Sequence, residues 1–477
     1  MNTAAAIIGL VFVPLLATLV TFVAAPRWHR ALAAAALLGW SLLLPMVTIE
    51  IARHGAIELV FGGWLPPLGI TWRLDALGLV LLWVHALVAL AALPAAWQRF
   101  APGAPGAGAF WPLWLVLGAG INLALLAADL FNLYVALELI TLAAVALIAI
   151  EDSIAALGSA MRYLLLGVLG SLLYVLGVGL VYAETGSLAL PAPGSGAVNA
   201  TALVLMLTGL MVKAAIFPLH AWLPGAYSSA PGPVAALLSA VVGKVALVAI
   251  WRIWFAHPIP GAEALSLVLG LLGAFAMFYG ALMAYLQTRL KLVIAWSSIS
   301  QFGLFMLLIP LADTTAFQGA AFGLLGHGLA KAALFLTAAN IVAVLGSDSI
   351  RHLPGLDKRM PIEALTLALA GVTLIGLPPS GGFTAKWLLL QSAWQQQASL
   401  WLLLIALSGL VSAAYVFRIL ALTCFHPARR AVHRIHPRPS LALSLAALLL
   451  ALAALLIGLY PHPVLELLGD AAPGVVR

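Results

Sequence analysis

The sequence predicts an all-α membrane protein that crosses the bilayer about 14 times. Of its 477 residues, 64% are hydrophobic and 8% are charged, whereas ordinary soluble domains carry about 25% charged residues. Apolar stretches of roughly 20 residues, the length that spans a bilayer as an α-helix, recur along the whole chain. This recurrence excludes a protein with a single membrane anchor or one amphipathic surface helix.

Fourteen apolar segments can each form a membrane-spanning helix. The first is followed, not preceded, by basic residues, so we interpret it as a transmembrane helix and not as a secretory signal peptide. Segments 317–345 and 363–394 exceed the length of one crossing, which predicts that they are tilted or broken. The approximate ranges are 3–24, 31–49, 74–97, 110–127, 130–150, 161–183, 202–222, 232–255, 264–286, 291–310, 317–345, 363–394, 399–422 and 440–460.

Basic residues in the loops predict the orientation of the chain. Loops after odd-numbered helices carry most of them, and such basic loops face the cytoplasm. We therefore expect a protein of the cell (inner) membrane with both termini on the outer, periplasmic side. The net charge of +7 follows from this topology, and we expect no nucleic-acid partner. The basic residues on the predicted cytoplasmic side are Arg27, Arg30, Arg99, Arg162, Arg289, Lys291, Arg351, Lys358, Arg359, Arg429, Arg430, Arg434 and Arg438, and those on the opposite side are Arg53, Arg73, Arg252 and Arg477.

Motifs for cofactors are absent from the sequence. The lone cysteine, Cys424, excludes a disulfide framework and any iron–sulfur or zinc site built only from cysteine. The chain contains neither a Gly-rich dinucleotide motif after a strand nor a phosphate-binding P-loop. We therefore expect no cofactor and no metal in this chain, and the sequence leaves open whether the chain is part of an enzyme.

Two predicted helices are interrupted by proline, and both carry a lysine. Helix 7 (202–222) contains Lys213 and Pro218, and helix 12 (363–394) contains GLPPSGG at 376–382 before Lys386. Proline cannot donate a backbone hydrogen bond, so both helices must break. A break at membrane depth is tolerated only where protein or a water-filled cavity covers it. Because the two helices are five apart, their orientations are opposite, as in the inverted repeats of transporters.

Six ionisable residues near the middle of predicted helices are the candidate proton-transfer groups. A charged side chain at the bilayer centre costs about 2.5–3.5 kcal/mol on insertion scales and therefore marks an ion or proton pathway. A structural ion pair, or a lysine that reaches the interface, is the alternative for any single residue. The set is spread over five helices, which favours a pathway. Its members are Glu138, Lys213, Lys244, His327, Lys331 and Lys386.

The positions of these groups suggest how a proton moves between them. A Glu138–Lys213 pair would hold the lysine protonated while it is closed, and opening the pair would release the proton toward Lys244 or toward His327 and Lys331. His327 and Lys331 are four residues apart and share one helical face.

Three further polar residues lie in or near the predicted helices. His220 and Asp129 are possible secondary sites, although Asp129 is alternatively the N-cap of helix 5. We interpret the isolated His85 as a structural residue.

Five short motifs occur in a fixed order along the chain. They are 129–134 (DLFNLY) leading to Glu138, 213–224 (KAAIFPLHAWLP), 295–300 (AWSSIS), 327–336 (HGLAKAALFL) and 376–386 (GLPPSGGFTAK). In this order they resemble the antiporter-like subunits shared by respiratory complex I, Mrp-type cation/proton antiporters and membrane-bound hydrogenases. The resemblance extends over nearly the whole chain and is strongest over 110–422.

The resemblance implies a fold and a set of residue roles. The fold would have 14 helices with two inverted five-helix repeats, helices 4–8 and 9–13, in which helices 7 and 12 are broken. The chain would divide into an N-terminal three-helix segment (1–109), a first repeat (110–256), a second repeat (257–422) and a last part (423–477) with a cytoplasmic loop, the last helix and a short tail. Glu138 and Lys213 would form the paired site, Lys244 the connecting lysine, His327 and Lys331 the central relay, and Lys386 the terminal proton site.

These observations predict a proton-translocating membrane protein that works within a multisubunit complex, and the D type of Mrp antiporter subunit is favoured. A proton-pumping subunit of a complex I-like NADH-quinone oxidoreductase or of a membrane-bound hydrogenase is the alternative. A scaffold subunit and a solute transporter are weaker alternatives. The expected partners are other membrane subunits, the lipid bilayer and protons, with sodium ions left open.

Overall fold

The computed structural model describes residues 3–61, 69–190, 199–257, 261–427 and 439–470. Within these ranges the chain is almost entirely helical, and 11 helices are long and apolar enough to cross a membrane. The prediction of an all-α polytopic membrane protein is confirmed. Every predicted segment contains one helix or a pair of helices, although segment 202–222 is helical only up to Lys213. The number of crossings stays a prediction. Three shorter apolar helices are Ala200–Lys213, Pro361–Ile375 and Leu441–Leu456.

The elements before the first predicted repeat include both β-strands of the described residues. Their bounds are α1 (Thr3–Val23), α2 (His29–Ser41), α3 (Leu44–His54), β1 (Ile57–Val60), β2 (Thr71–Leu74) and α4 (Ala76–Arg99), with a 3₁₀ turn at Pro26–Trp28.

The elements of the first predicted repeat include the first broken helix. Their bounds are α5 (Ala107–Leu126), α6 (Leu130–Ala149), α7 (Ile154–Thr185), α8 (Ala200–Lys213), α9 (Leu223–Ser229), α10 (Gly232–Leu237) and α11 (Gly243–Ala256), with a π-helical turn at Leu238–Val242.

The remaining elements include the second broken helix. Their bounds are α12 (Glu263–Leu286), α13 (Leu290–Met306), α14 (Leu308–Leu311), α15 (Thr314–Leu345), α16 (Leu356–Arg359), α17 (Pro361–Ile375), α18 (Gly381–Gln395), α19 (Ser399–Cys424), α20 (Leu441–Leu456) and α21 (His462–Asp470), with a 3₁₀ turn at Ile350–His352.

The polar loop before α4 contains a two-stranded antiparallel sheet, which the sequence did not predict. Ile57 of β1 lies opposite Leu74 of β2. Alternate side chains of β2 are buried, as the period of a strand with one covered face requires. On the other face Arg73 forms an ion pair with Glu58 at 3.3 Å.

Several residues of the polar loop, a linker and the basic loops lie outside the described ranges. They are Trp64, Pro66 and Pro67 of the polar loop, residues 191–198 of the linker that the sequence predicts at 191–199, and the basic residues Arg429, Arg430, Arg434, Arg438 and Arg477.

The two overlong segments behave differently. Segment 317–345 is one continuous helix, α15, whose 32 residues extend over about 48 Å. Segment 363–394 is broken at 376–380 between α17 and α18, where Gly376 has a φ of 82°. Glycine takes this left-handed conformation without the steric penalty of a side chain, and the prolines that follow cannot continue the helix.

Helix α15 forms the middle of the described structure. It packs against α4, α10, α13, α17, α18 and α20, and most of its side chains are buried. His327 and Lys331 are therefore surrounded by protein and not by lipid. This placement is what an intramembrane charge requires, because lipid offers no hydrogen-bond partners.

Candidate proton-transfer site

The first helix break lies directly after Lys213. Helix α8 ends at Lys213, and α9 begins only at Leu223. The indole nitrogen of Trp222 donates a hydrogen bond at 2.7 Å to the carbonyl of Val212, which also accepts from the backbone N–H of Ala215 at 3.1 Å. The Trp222 ring stacks on Tyr163 with 4.0 Å between ring centroids. The break is thus closed by side chains from within the protein.

The ammonium group of Lys213 lies in a polar cluster at this break. Its Nζ atom is 2.9 Å from a carboxylate oxygen of Glu138 and 3.0 Å from the hydroxyl of Thr141. The Ser171 hydroxyl donates to the same carboxylate oxygen. Lys213 is 6% exposed, so the carboxylate supplies the opposite charge that a buried ammonium requires. Sequence reasoning predicted the Glu138–Lys213 pair but missed both hydroxyls, although Thr141 follows Glu138 by one helical turn.

Lys244 lies in the first turn of α11, directly after the π-helical turn Leu238–Val242. Its Nζ atom donates to the carbonyl of Ser239 at 2.8 Å and lies 5.6 Å from the centroid of the Phe302 ring. The side chain is fully buried. A π-turn interrupts the regular pattern of helical hydrogen bonds, and here the Ser239 carbonyl within the turn accepts from a lysine side chain.

Lys331 and His327 project from α15 one turn apart. The Lys331 ammonium donates to the Ile294 carbonyl at 2.7 Å and to the Ser297 hydroxyl at 2.5 Å. The His327 ring is 5.7 Å, between ring centroids, from both Phe302 and Phe305. Neither nitrogen of His327 has a hydrogen-bond partner among the described residues. A buried imidazole without partners is costly unless water reaches it.

Lys386 lies at the second helix break. Its Nζ atom donates to the Ile375 carbonyl, the last of α17, at 2.8 Å. The C-terminal end of a helix carries partial negative charge and favours a cation.

A narrow cavity joins the second break to the central relay. It brings His327 and Lys386 to one space between α13, α15, α17 and α18, although the two residues are far apart in sequence. Its lining residues are Gln301, Leu304, Phe305, Gly323, His327, Thr373, Leu374, Gly382, Ala385 and Lys386.

Apart from the Glu138–Lys213 pair, the candidate proton-transfer residues are not joined by direct side-chain hydrogen bonds in the part of the chain that the structure describes. Among the described residues, Lys213 bonds Glu138 and Thr141, and Lys244 bonds only a backbone carbonyl. Transfer between them would therefore pass through water, which bridges polar groups at small cost.

The secondary candidates have other surroundings. Asp129 caps α6 by accepting from the backbone of Asn132 at 2.7 Å, which agrees with the alternative role as an N-cap. His220 lies in the first helix break among aromatic rings, and its ring centroid is 5.3 Å from that of Trp296. His85 is hydrogen-bonded to Asn122 at 2.8 Å, which agrees with a structural role. In the part of the chain that the structure describes, no group of three or more His, Cys, Asp and Glu could hold a metal.

A known family matches the part of the chain that carries these residues. The family described as "NADH:quinone oxidoreductase/Mrp antiporter, TM" matches residues 127–412. This match spans more than half of the chain and includes all six candidate residues. The chain belongs to this family.

Individual relatives extend the comparison. The chain is 37% identical over 368 residues to the N subunit of the NADH-quinone oxidoreductase of Desulforudis audaxviator, covering 75% of this chain and 73% of that protein. It is 29% identical to the D subunit of the Na(+)/H(+) antiporter of Alkalihalophilus pseudofirmus, covering 77% of this chain and 76% of the relative. A chain in the structure of the Mrp complex from a Dietzia species superimposes with a TM-score of 0.88 at 25% identity, covering 99% of this chain and 97% of that one.

The predicted resemblance is thereby confirmed. The protein is a multi-pass membrane protein of the family that supplies antiporter-like subunits to Mrp and NADH-quinone oxidoreductase complexes.

Proposed function

We propose that this chain translocates protons as one membrane subunit of a multisubunit complex, and that it is of the D type found in Mrp antiporters. The observation that carries the proposal is the buried Glu138–Lys213 pair at the end of α8. A helix break beside an ion pair provides a charged group that can change its partners, and water can enter where the backbone is not helical.

In the proposed mechanism the ion pair is the gate. While Glu138 and Thr141 hold the Lys213 ammonium, the proton stays on the amine. When the carboxylate moves away, the buried ammonium loses its counter-charge and releases the proton to water that leads toward Lys244. His327 and Lys331 then pass the proton to the cavity of Lys386, and the groups titrate as a coupled set.

The remaining expectations are part of the same proposal. The complex lies in the cell (inner) membrane, with both termini of this chain on the periplasmic side and lipid around its outer helices. The ranges 1–109, 110–256, 257–422 and 423–477 are its structural parts, and 110–256 and 257–422 are the inverted repeats. The transported ion is the proton, and the choice of sodium as a counter-ion is left open.

A redox-driven proton pump is the second candidate. It is favoured by the relative with 37% identity, which is named a subunit of NADH-quinone oxidoreductase. Purifying the complex through a tag on this chain and identifying its components by mass spectrometry distinguishes the two. Small membrane subunits alone support the antiporter, whereas iron–sulfur or nickel-containing subunits support the redox pump.

The variant Lys213→Ala tests the proposal in membrane vesicles that contain the whole complex. We expect proton movement, followed with a pH-sensitive dye, to fall to the background level while the assembled complex remains detectable on a native gel. Lys358→Ala is the matched control, because Lys358 is exposed in the short helix α16, and it should transport at the wild-type rate. Full transport by the Lys213→Ala complex would overturn the proposed axis.

A further inference from the structure

A second buried carboxyl group, Glu363, lies in the first turn of α17. It is 4% exposed, yet it forms no ion pair within the described part of the chain. The Ser444 hydroxyl donates to one of its oxygen atoms, and the Asn340 amide is 3.5 Å from the same atom. Three helices, α15, α17 and α20, thus enclose a carboxyl group whose two hydrogen-bond donors among the described residues are both neutral. An ionisable group in this position is costly unless it takes up a proton or exchanges with water.

The face of α17 that begins with Glu363 leads to the cavity of Lys386. Glu363, Thr366, Ala370 and Thr373 follow one another at spacings of three and four residues, so they lie along one side of the helix. All four are buried. Thr373 lines the cavity that also contains His327 and Lys386. Glu363 and Thr373 are ten positions apart, which corresponds to about 15 Å along the helix, so a proton that passes between them must be carried by water.

No positively charged side chain on the helices around α17 forms an ion pair with Glu363 among the described residues. Helix α20 has no titratable residue in its sequence, and none of the groups on the other helices that pack against α17 pairs with Glu363 among the described residues. Those groups are His327 and Lys331 on α15, Asp357, Lys358 and Arg359 on α16, Lys386 on α18, and Tyr415, Arg418 and Cys424 on α19.

We propose that Glu363 is a proton-exchange residue between Lys386 and the aqueous phase at the N-terminal end of α17. The Lys386 ammonium releases its proton to water in the cavity, the carboxylate of Glu363 accepts that proton, and the carboxyl group then releases it to water at the N-terminal end of α17. Ser444 and Asn340 hold the carboxyl group in place during the exchange. This inference rests on the proposed proton translocation and extends it by one residue.

The variant Glu363→Gln tests the inference in vesicles that contain the whole complex. Glutamine keeps the shape and the hydrogen-bond acceptor but cannot carry a proton, so we expect proton transport to fall at least about tenfold. Glu363→Asp should restore part of the rate. Glu263→Gln is the matched control, because Glu263 is also in the first turn of a helix but is exposed, and it should not change the rate.

A structural role for Glu363 would give a different result. In that case Glu363→Gln, with its acceptor intact, transports at the wild-type rate, and the inference is overturned. If Glu363→Gln does not assemble, Ser444→Ala provides the test, since it leaves the carboxyl group in place. It removes a donor that favours the carboxylate, so the pH profile of transport should shift to higher pH. An unchanged profile would contradict the inference.

Lys213→Ala, measured beside these variants, separates the two proposals. Loss of transport in Lys213→Ala together with wild-type transport in Glu363→Gln overturns only the role of Glu363. Wild-type transport in both overturns the proposed function itself.

Discussion

At the scale of single residues, the Glu138–Lys213 pair has a structural cost that can be separated from its function. Removing one partner of a buried ion pair leaves an unpaired charge and destabilises a protein by about 3–5 kcal/mol, whereas replacing both partners with uncharged groups is often neutral. The Lys213 side chain is 5% exposed and the Glu138 side chain is 20% exposed. The cost of removing one partner should therefore be close to that of a buried pair.

We therefore expect Glu138→Gln to lower the melting temperature of the purified complex. The double variant Glu138→Gln/Lys213→Met should recover most of the lost melting temperature. Transport should remain absent in the double variant, because no proton carrier is present. Additive destabilisation by the two changes would contradict a paired site. Differential scanning fluorimetry and a vesicle transport assay provide the two measurements.

At the scale of secondary structure, the interrupted helices depend on the side chains that satisfy their ends. The Trp222 indole donates to the Val212 carbonyl near the end of α8, so Trp222→Phe keeps an aromatic ring beside Tyr163 but leaves this carbonyl with the backbone N–H of Ala215 as its donor. The expected loss is about 0.5–1.5 kcal/mol of stability, measured as a lower melting temperature. Trp28→Phe, on a ring that is 56% exposed, should leave the melting temperature unchanged, and equal effects of the two changes would exclude this role for Trp222.

At the scale of the whole molecule, the arrangement of basic loops predicts which face of the membrane each loop meets. In a Cys424→Ser background, Glu184→Cys should react with a membrane-impermeant maleimide from the periplasmic side of the inner membrane, because Glu184 lies in the last turn of α7, at the end of the sixth predicted helix. Lys358→Cys should react with the maleimide only after the membrane is permeabilised. Both native residues are exposed. The reverse pattern of labelling would show that both termini are cytoplasmic.

Sequence reasoning identified the candidate proton-transfer residues better than the groups that surround them. Lysines in apolar segments and prolines at helix breaks are visible in a short window, because burial of charge and loss of a backbone donor are local properties. Thr141 and Ser297 were missed because hydroxyl residues are common in membrane helices. Glu363 was missed because an acid at the start of a predicted helix is ordinary.

The membrane class, the positions of both helix breaks and the six candidate residues follow from the order of residues along the chain. Which of these groups meet follows from the packing of the helices. Thr141 contacts Lys213 across 72 positions, and Ser444 contacts Glu363 across 81 positions. Nothing local encodes such pairs, because they depend on how helices pack against one another. The same packing brings His327 and Lys386 to one cavity, since α15 and α18 lie side by side.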